Sequence, residues 1–228
     1  MLASVSGGMP VSALAARLPE AETVRRWSQS LAVLDAILDA DWEHRYFSFD
    51  AHWDDGEQLA SMRNGSGDEY SIVFSRAGAY VRGFDHESGL SPSAQSPPAL
   101  WPGLVDDVPA ELAAAVTEPA FCDDTVPRLT VCLWRLAGAP GWSHGRVALP
   151  DGDADADGAD RLFEQLDGEP ATYRAFAREY WERELGLEAI ARVYRREPLT
   201  DELVAALAPD RGLAELADDL AEIDYPRG

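Results

Sequence analysis

The sequence predicts an α+β fold: an antiparallel meander sheet of five or six strands, packed by an N-terminal helix and a C-terminal helical segment. Three observations carry this. Residues 21–40 repeat apolar side chains at helical spacing, residues 44–84 switch to short alternating segments divided by turn residues, and the helical period returns from residue 160 onward. The 228 residues are enough to bury a continuous core without metal or disulfide support. We read residues 1–150 as helices plus sheet and residues 151–228 as an acidic helical segment packed on it, the whole forming one integrated domain.

The elements follow in order. A short helix is expected at residues 11–18, ended by Pro19. Val24, Trp27, Leu31, Leu34 and Leu38 then form one apolar stripe of a second helix. HRYFSF (44–49), EQLASMR (57–63), EYSIVFS (69–75) and AYVRGF (79–84) read as strands. Asn64-Gly65-Ser66-Gly67 is a hairpin turn, because Asn and Gly tolerate positive φ. Alternation puts Tyr70, Ile72 and Phe74 on the core face of the third strand.

Residues 89–103, rich in Pro and Ser, read as a surface loop, and a helix is expected over Pro109–Thr117. RLTVCLWRL (128–136) is apolar on both faces, as in a central strand covered twice. WSHGRVAL (142–149) is its expected return strand. Tyr173, Phe176, Ala177, Tyr180 and Trp181 form a further helical stripe started by Pro170, and Thr200 is an expected N-cap for the helix that follows. Leu213, Leu216, Leu220 and Ile223 mark a last, acidic helix.

Charge sets the partner class. The chain carries 41 acids against 19 arginines and no lysine, a formal net charge of −22. Residues 151–228 supply −12 of that, from 21 acids and 9 arginines. A field of this sign repels nucleic acid and anionic membrane surfaces and favours a basic protein partner. Cys122 and Cys132 make neither a disulfide framework nor a zinc set. The first residues lack the basic start of a signal peptide, so a cytoplasmic location is expected, with Met9 an alternative start to Met1.

WDDGEQLASMRNGSGDEY, GFDHES, PALWPGLVDDVP and TVCLWR, together with DGADRLFEQLDGEPATYRAFAREYWE, resemble a family of bacterial proteins of unknown function over roughly residues 42–210. The resemblance implies a free-standing bacterial domain and brings no activity, cofactor or catalytic residue with it.

Three constellations are candidate sites. Asp85, His86 and Glu87 end the fourth strand, beside the Asn64–Gly67 turn and Arg63. A carboxylate-held imidazole is a usable general base, and Arg63 suits an anionic group. Acids at strand ends are also simply what turns are made of. A meander places His52 at the opposite rim, away from His86. Asp153, Asp155, Asp157, Gly158 and Glu164 match positions 1, 3, 5, 6 and 12 of a calcium loop, though the preceding residues read as strand and turn rather than an incoming helix. Trp53, Asp54, Asp55, Trp101 and Trp142, in or beside loops, are candidate partner anchors. Nucleotide-binding glycine motifs, HExxH and CxxC are all missing from the sequence. The leading expectation is a protein-binding domain of immunity type that neutralises a basic partner. An enzyme built on the Asp/His/Glu cluster and a Ca2+-stabilised structural protein are the alternatives.

Overall fold

A computed structural model of the chain describes residues 10–148 and 155–228. Two helices lead, α1 (Val11–Arg17) and α2 (Ala21–Leu38), then four strands: β1 (Phe47–Asp54), β2 (Glu57–Arg63), β3 (Glu69–Ser75) and β4 (Gly78–Phe84). A loop segment carries the short helix α3 (Ala113–Val116) and a small hairpin, β5 (Cys122–Asp123) and β6 (Val126–Pro127). Then come β7 (Val131–Leu136), β8 (Ser143–His144) and the helices α4 (Ala159–Leu162), α5 (Pro170–Tyr180), α6 (Leu187–Tyr194), α7 (Asp201–Leu207) and α8 (Ala217–Ile223). The fold is α+β, with a six-stranded antiparallel sheet in the order β1-β2-β3-β4-β7-β8. Among the described residues no helix is long and apolar enough to cross a membrane.

The chain forms two compact units: residues up to Pro19 with Asn64–Phe163, and Glu20–Arg63 with Glu164–Gly228. In the first, the register Val73↔Tyr80 and Tyr80↔Trp134 puts Val73, Tyr80 and Trp134 on one sheet face. Tyr70, Ile72 and Phe74 take the other, and all of these residues are buried. Tyr70 stacks on Phe163, with ring centroids 4.9 Å apart. Opposite Tyr70 is Gly83, where a Cβ would come within 2.9 Å of the Leu162 and Phe163 side chains, so any larger residue there would push that ring aside. The Tyr80 face is covered by Leu104, Leu112, Val116 and Leu129. That coverage corrects the expectation of one core face for β3. The segment after β4 is not merely a surface loop; it supplies apolar side chains for the second face.

In the second unit α2 is the organising element. Every residue from Ser28 to Leu38 is buried, not a single stripe, because α2 meets β1 and β2 as well as α6, α7 and α8. Its polar residues are satisfied in place: Gln29 donates to the Ile223 carbonyl at 2.7 Å and Ser30 to that of Val193 at 3.2 Å. Trp27, on the expected stripe, is half-buried and abuts Gly168, whose φ of 77° and close approach to the indole both demand glycine. Thr200 caps α7 as expected, accepting from the Leu203 amide at 3.2 Å.

Several boundaries differ from the sequence reading. β1 runs on to Asp54, so His52, Trp53 and Asp54 are strand residues, while Trp42–His44 form a 3-10 turn capped by Asp41. The helix expected over 109–117 shrinks to four residues. The return strand shrinks to Ser143–His144, because at Gly145 the chain turns to run against the Gly103 and Leu104 carbonyls, closer than any Cβ allows.

Candidate functional site

The densest polar arrangement lies in the first unit, where β3 begins and β4 ends. Asn64 builds it. Its side-chain oxygen accepts from the amides of Ser66 at 2.8 Å and Asp68 at 3.1 Å, and its Nδ2 donates to Asp68 Oδ2 at 2.9 Å. Asp68, held this way, accepts both the backbone amide and Nδ1 of His86 on Oδ1, at 3.0 and 2.7 Å. Asp85 turns inward, its amide donating to Thr130 Oγ1 at 3.2 Å and its Oδ1 accepting from the Glu87 amide at 3.0 Å. Arg161 of α4 meets Asp85 Oδ2 at 2.6 Å and lies 3.7 Å from Asp68 Oδ2. Gly158, with φ 77°, backs onto that carboxylate; a Cβ there would sit 2.6 Å from Asp85 Oδ2.

Electrostatics follows from these contacts. Desolvation pushes Asp68 upward, but hydrogen bonds from His86 and Asn64 and the charge of Arg161 outweigh it and hold the carboxyl below its ordinary range. The Asp68 hydrogen bond raises His86 above the usual imidazole value. The imidazole therefore has an oriented Nδ1 and an exposed ring, the arrangement of a general base or a proton acceptor. Among the described residues, Asp68, Asp85 and His86 are the group of potential metal ligands that converge, within 4.8 Å of one another. The Arg161 guanidinium already supplies a cation to both carboxylates.

The expected members distribute as follows. Asp85 is buried, whereas His86 and Glu87 are exposed, because the strand ends at Phe84 and a turn closed from Ser88 N to Asp85 O replaces extended alternation. The cation paired with Asp85 is Arg161. Arg63 belongs to the second unit, where its guanidinium lies 4.2 Å over the Trp42 ring. Asp68, the hinge of the cluster, is expected from the sequence only as a residue flanking the turn, without a role in the site. The register names it: Glu69 pairs with Phe84, so one step outward sets Asp68 opposite Asp85.

The calcium-loop match dissolves locally. Asp153 lies outside the described residues. Asp157 spends one oxygen on the Val11 amide at 2.8 Å and the other on the Ala159 amide at 3.0 Å, while Asp155 Oδ1 accepts from the Asp160 amide at 2.8 Å. Desolvation raises both carboxyls. These acids start α4 and fasten α1. Glu164 is exposed and falls in the second unit.

The expected aromatic anchors also separate. Trp142 is buried and donates its indole N–H to the Pro19 carbonyl at 2.6 Å. Trp101 is half-buried against the Tyr80–Trp134 cluster. Both staple loops. Trp53 is half-buried in β1, with Asp54 and Asp55 exposed at the hairpin tip. The prominent exposed aromatics are instead Trp42 and Tyr180, 46% and 42% exposed. The helical stripe had assigned Tyr180 to the core, but α5 buries Tyr173 and Ala177 and lets its last turn emerge. The Tyr180 hydroxyl donates to the His44 carbonyl at 3.2 Å, joining DWEH (41–44) to EYWERE (179–184). Beneath, Tyr180 stacks on Phe176 at 5.2 Å and meets Tyr46 edge-on at 5.0 Å.

No protein-family model, no curated protein and no solved structure matches this chain.

Proposed function

We propose that the chain is a protein-binding domain that engages a basic partner through the Trp42–Tyr180 surface, in the manner of an immunity protein that neutralises a cationic toxin. The observation that carries this is the surface itself: two exposed aromatic side chains, Tyr180 set on Tyr46 and Phe176 and Trp42 stacked by Arg63, flanked by exposed acids. DWEH and EYWERE contribute Asp41, Glu43, Glu179, Glu182 and Glu184 against the single arginine Arg183. Aromatic anchors with a charged rim are the usual anatomy of an interface hot spot. Arg63 over Trp42 holds the indole plane in place. The −22 charge supplies the long-range part, speeding encounter with a cationic protein and penalising acidic ones.

The test is capture by the immobilised chain from an extract of the source organism at low salt, beside a Trp42→Ala/Tyr180→Ala variant that melts at the same temperature. The expected result is a basic protein retained by the native chain, released by salt, and lost from the variant by tenfold or more. Equal retention by the variant, or no basic protein at all, overturns the proposal.

A further inference from the structure

The first unit also holds a concave site, lined on one side by the loop after β4 and on the other by the β5–β6 hairpin. We propose that this pocket binds a small planar cation: an aromatic ring bearing an amidinium or guanidinium group. Its volume is about 340 Å³, within the range of small-ligand sites and right for a single ring and its substituent. Phe84, Pro92, Pro98 and Val126 give it flat apolar walls. Phe84 ends β4 only half-buried, although its neighbours along the strand are buried, so it offers the ligand part of an aromatic surface.

Charge decides the sign of the ligand. Asp123 and Asp124 line the site from the hairpin turn, and both are exposed. Arg128 lines it too and on its own favours an anion. Its terminal nitrogens are already shared, with Glu69 at 3.2 Å, with Asp123 of the same pocket at 3.7 Å and with the Ala120 carbonyl at 3.4 Å. A carboxylate ligand would meet two acids and a guanidinium already shared. A cation would meet the exposed Asp124 and Asp123, the latter only 3.7 Å from Arg128 and 76% exposed, inside a chain whose field is strongly negative. Apolar flat walls with carboxylates at the mouth match a delocalised cation, which is weakly hydrated and sheds water readily.

The probe is benzamidine, titrated into the full chain and followed by calorimetry and by amide NMR shifts, with benzoate as the isosteric anion and N-acetylarginine amide as a guanidinium without a ring. The expected result is benzamidine binding near about 1 mM, with shifts at Asp123–Arg128, and benzoate and the arginine derivative at least about tenfold weaker. Asp123→Asn/Asp124→Asn lowers benzamidine affinity by about tenfold, and Phe84→Leu does so without altering charge, which guards against a hairpin that misfolds. Benzoate binding as tightly as benzamidine overturns the charge argument. An arginine derivative that matches benzamidine overturns the ring, and shifts located elsewhere, or no binding by about 10 mM, overturn the site. The outcome is independent of the Trp42–Tyr180 surface.

Discussion

Asp35 in the second unit and Asp68 in the first are carboxylates with little exposure, one deeply enclosed and the other near the surface end of a strand, and their surroundings treat them in opposite ways. Asp35 is fully enclosed and meets only neutral donors: the amides of Tyr46 and Phe47 at 2.9 and 2.8 Å, and the Tyr173 hydroxyl at 2.7 Å. Burial dominates there and pushes its carboxyl up to about 6, the donors recovering only part of the shift. Asp68 has His86 and Arg161 within reach and is held low. Depth of enclosure and a cation sharing the site therefore act together on the state of an acid. The Asp35 arrangement serves architecture, tying α2 to the start of β1. The Asp68–His86 arrangement keeps charge at the surface end of a strand, where chemistry or contact can use it.

The contrast can be broken most directly at Asp35. Asp35→Ala leaves three buried donors without an acceptor and should cost about 4 kcal/mol in urea unfolding. Asp35→Asn keeps an acceptor for both amides and should cost less than about 1 kcal/mol at pH 7. It should also flatten the pH dependence. In the native chain the folded carboxyl binds its proton more tightly than the unfolded one. That stabilisation is complete below the ordinary 3.8 and is lost as pH rises to about 6, some 3 kcal/mol in all. Failure of the Asn variant to flatten the window between 3.8 and 6 would contradict a raised Asp35.

The same isosteric change at Asp85 sharpens the comparison, because there the charge has a partner. Asp85→Asn should cost about 1–2 kcal/mol by removing the ion pair to Arg161 at 2.6 Å. A neutral outcome would show that the contact with Arg161 adds nothing to stability. The smallest effect belongs to His86→Gln. The raised imidazole lends stability in full below 6.5, lost as pH rises through its folded value, while the lowered Asp68 lends stability above 3.8 that is lost as pH falls. Urea midpoints between pH 6 and 8.5 should decline in the native chain and decline less in the variant. This window lies above that of Asp35, so the two contributions separate on one pH axis.

Much of the architecture was legible where local chemistry decides it. β2 and β3 fall at the expected residues because Asn64-Gly65-Ser66-Gly67 admits few alternatives, and Pro170 and Thr200 start their helices as read. What escaped depends on residues far apart in the chain. No local period announces that Leu104, Leu112 and Val116 cover a second sheet face, or that Arg161 reaches Asp85 across 76 positions of sequence. Arg63 was named for its place beside the turn, yet Trp42 claims its guanidinium. Trp42 itself sits between a helix and a strand, where no periodicity argument reaches it.

The interleaved threading of the two units bears on how the chain emerges from the ribosome. The first unit has all its parts once residue 163 is out, whereas the second must hold Glu20–Arg63 in readiness until α8, near the end of the chain, has been made. α2 can meet β1 and β2 soon after it is made, but its contacts with α6, α7 and α8 wait for the end of the chain. Until then the apolar face it turns toward those helices is open, and a nascent chain stalled in that interval exposes it.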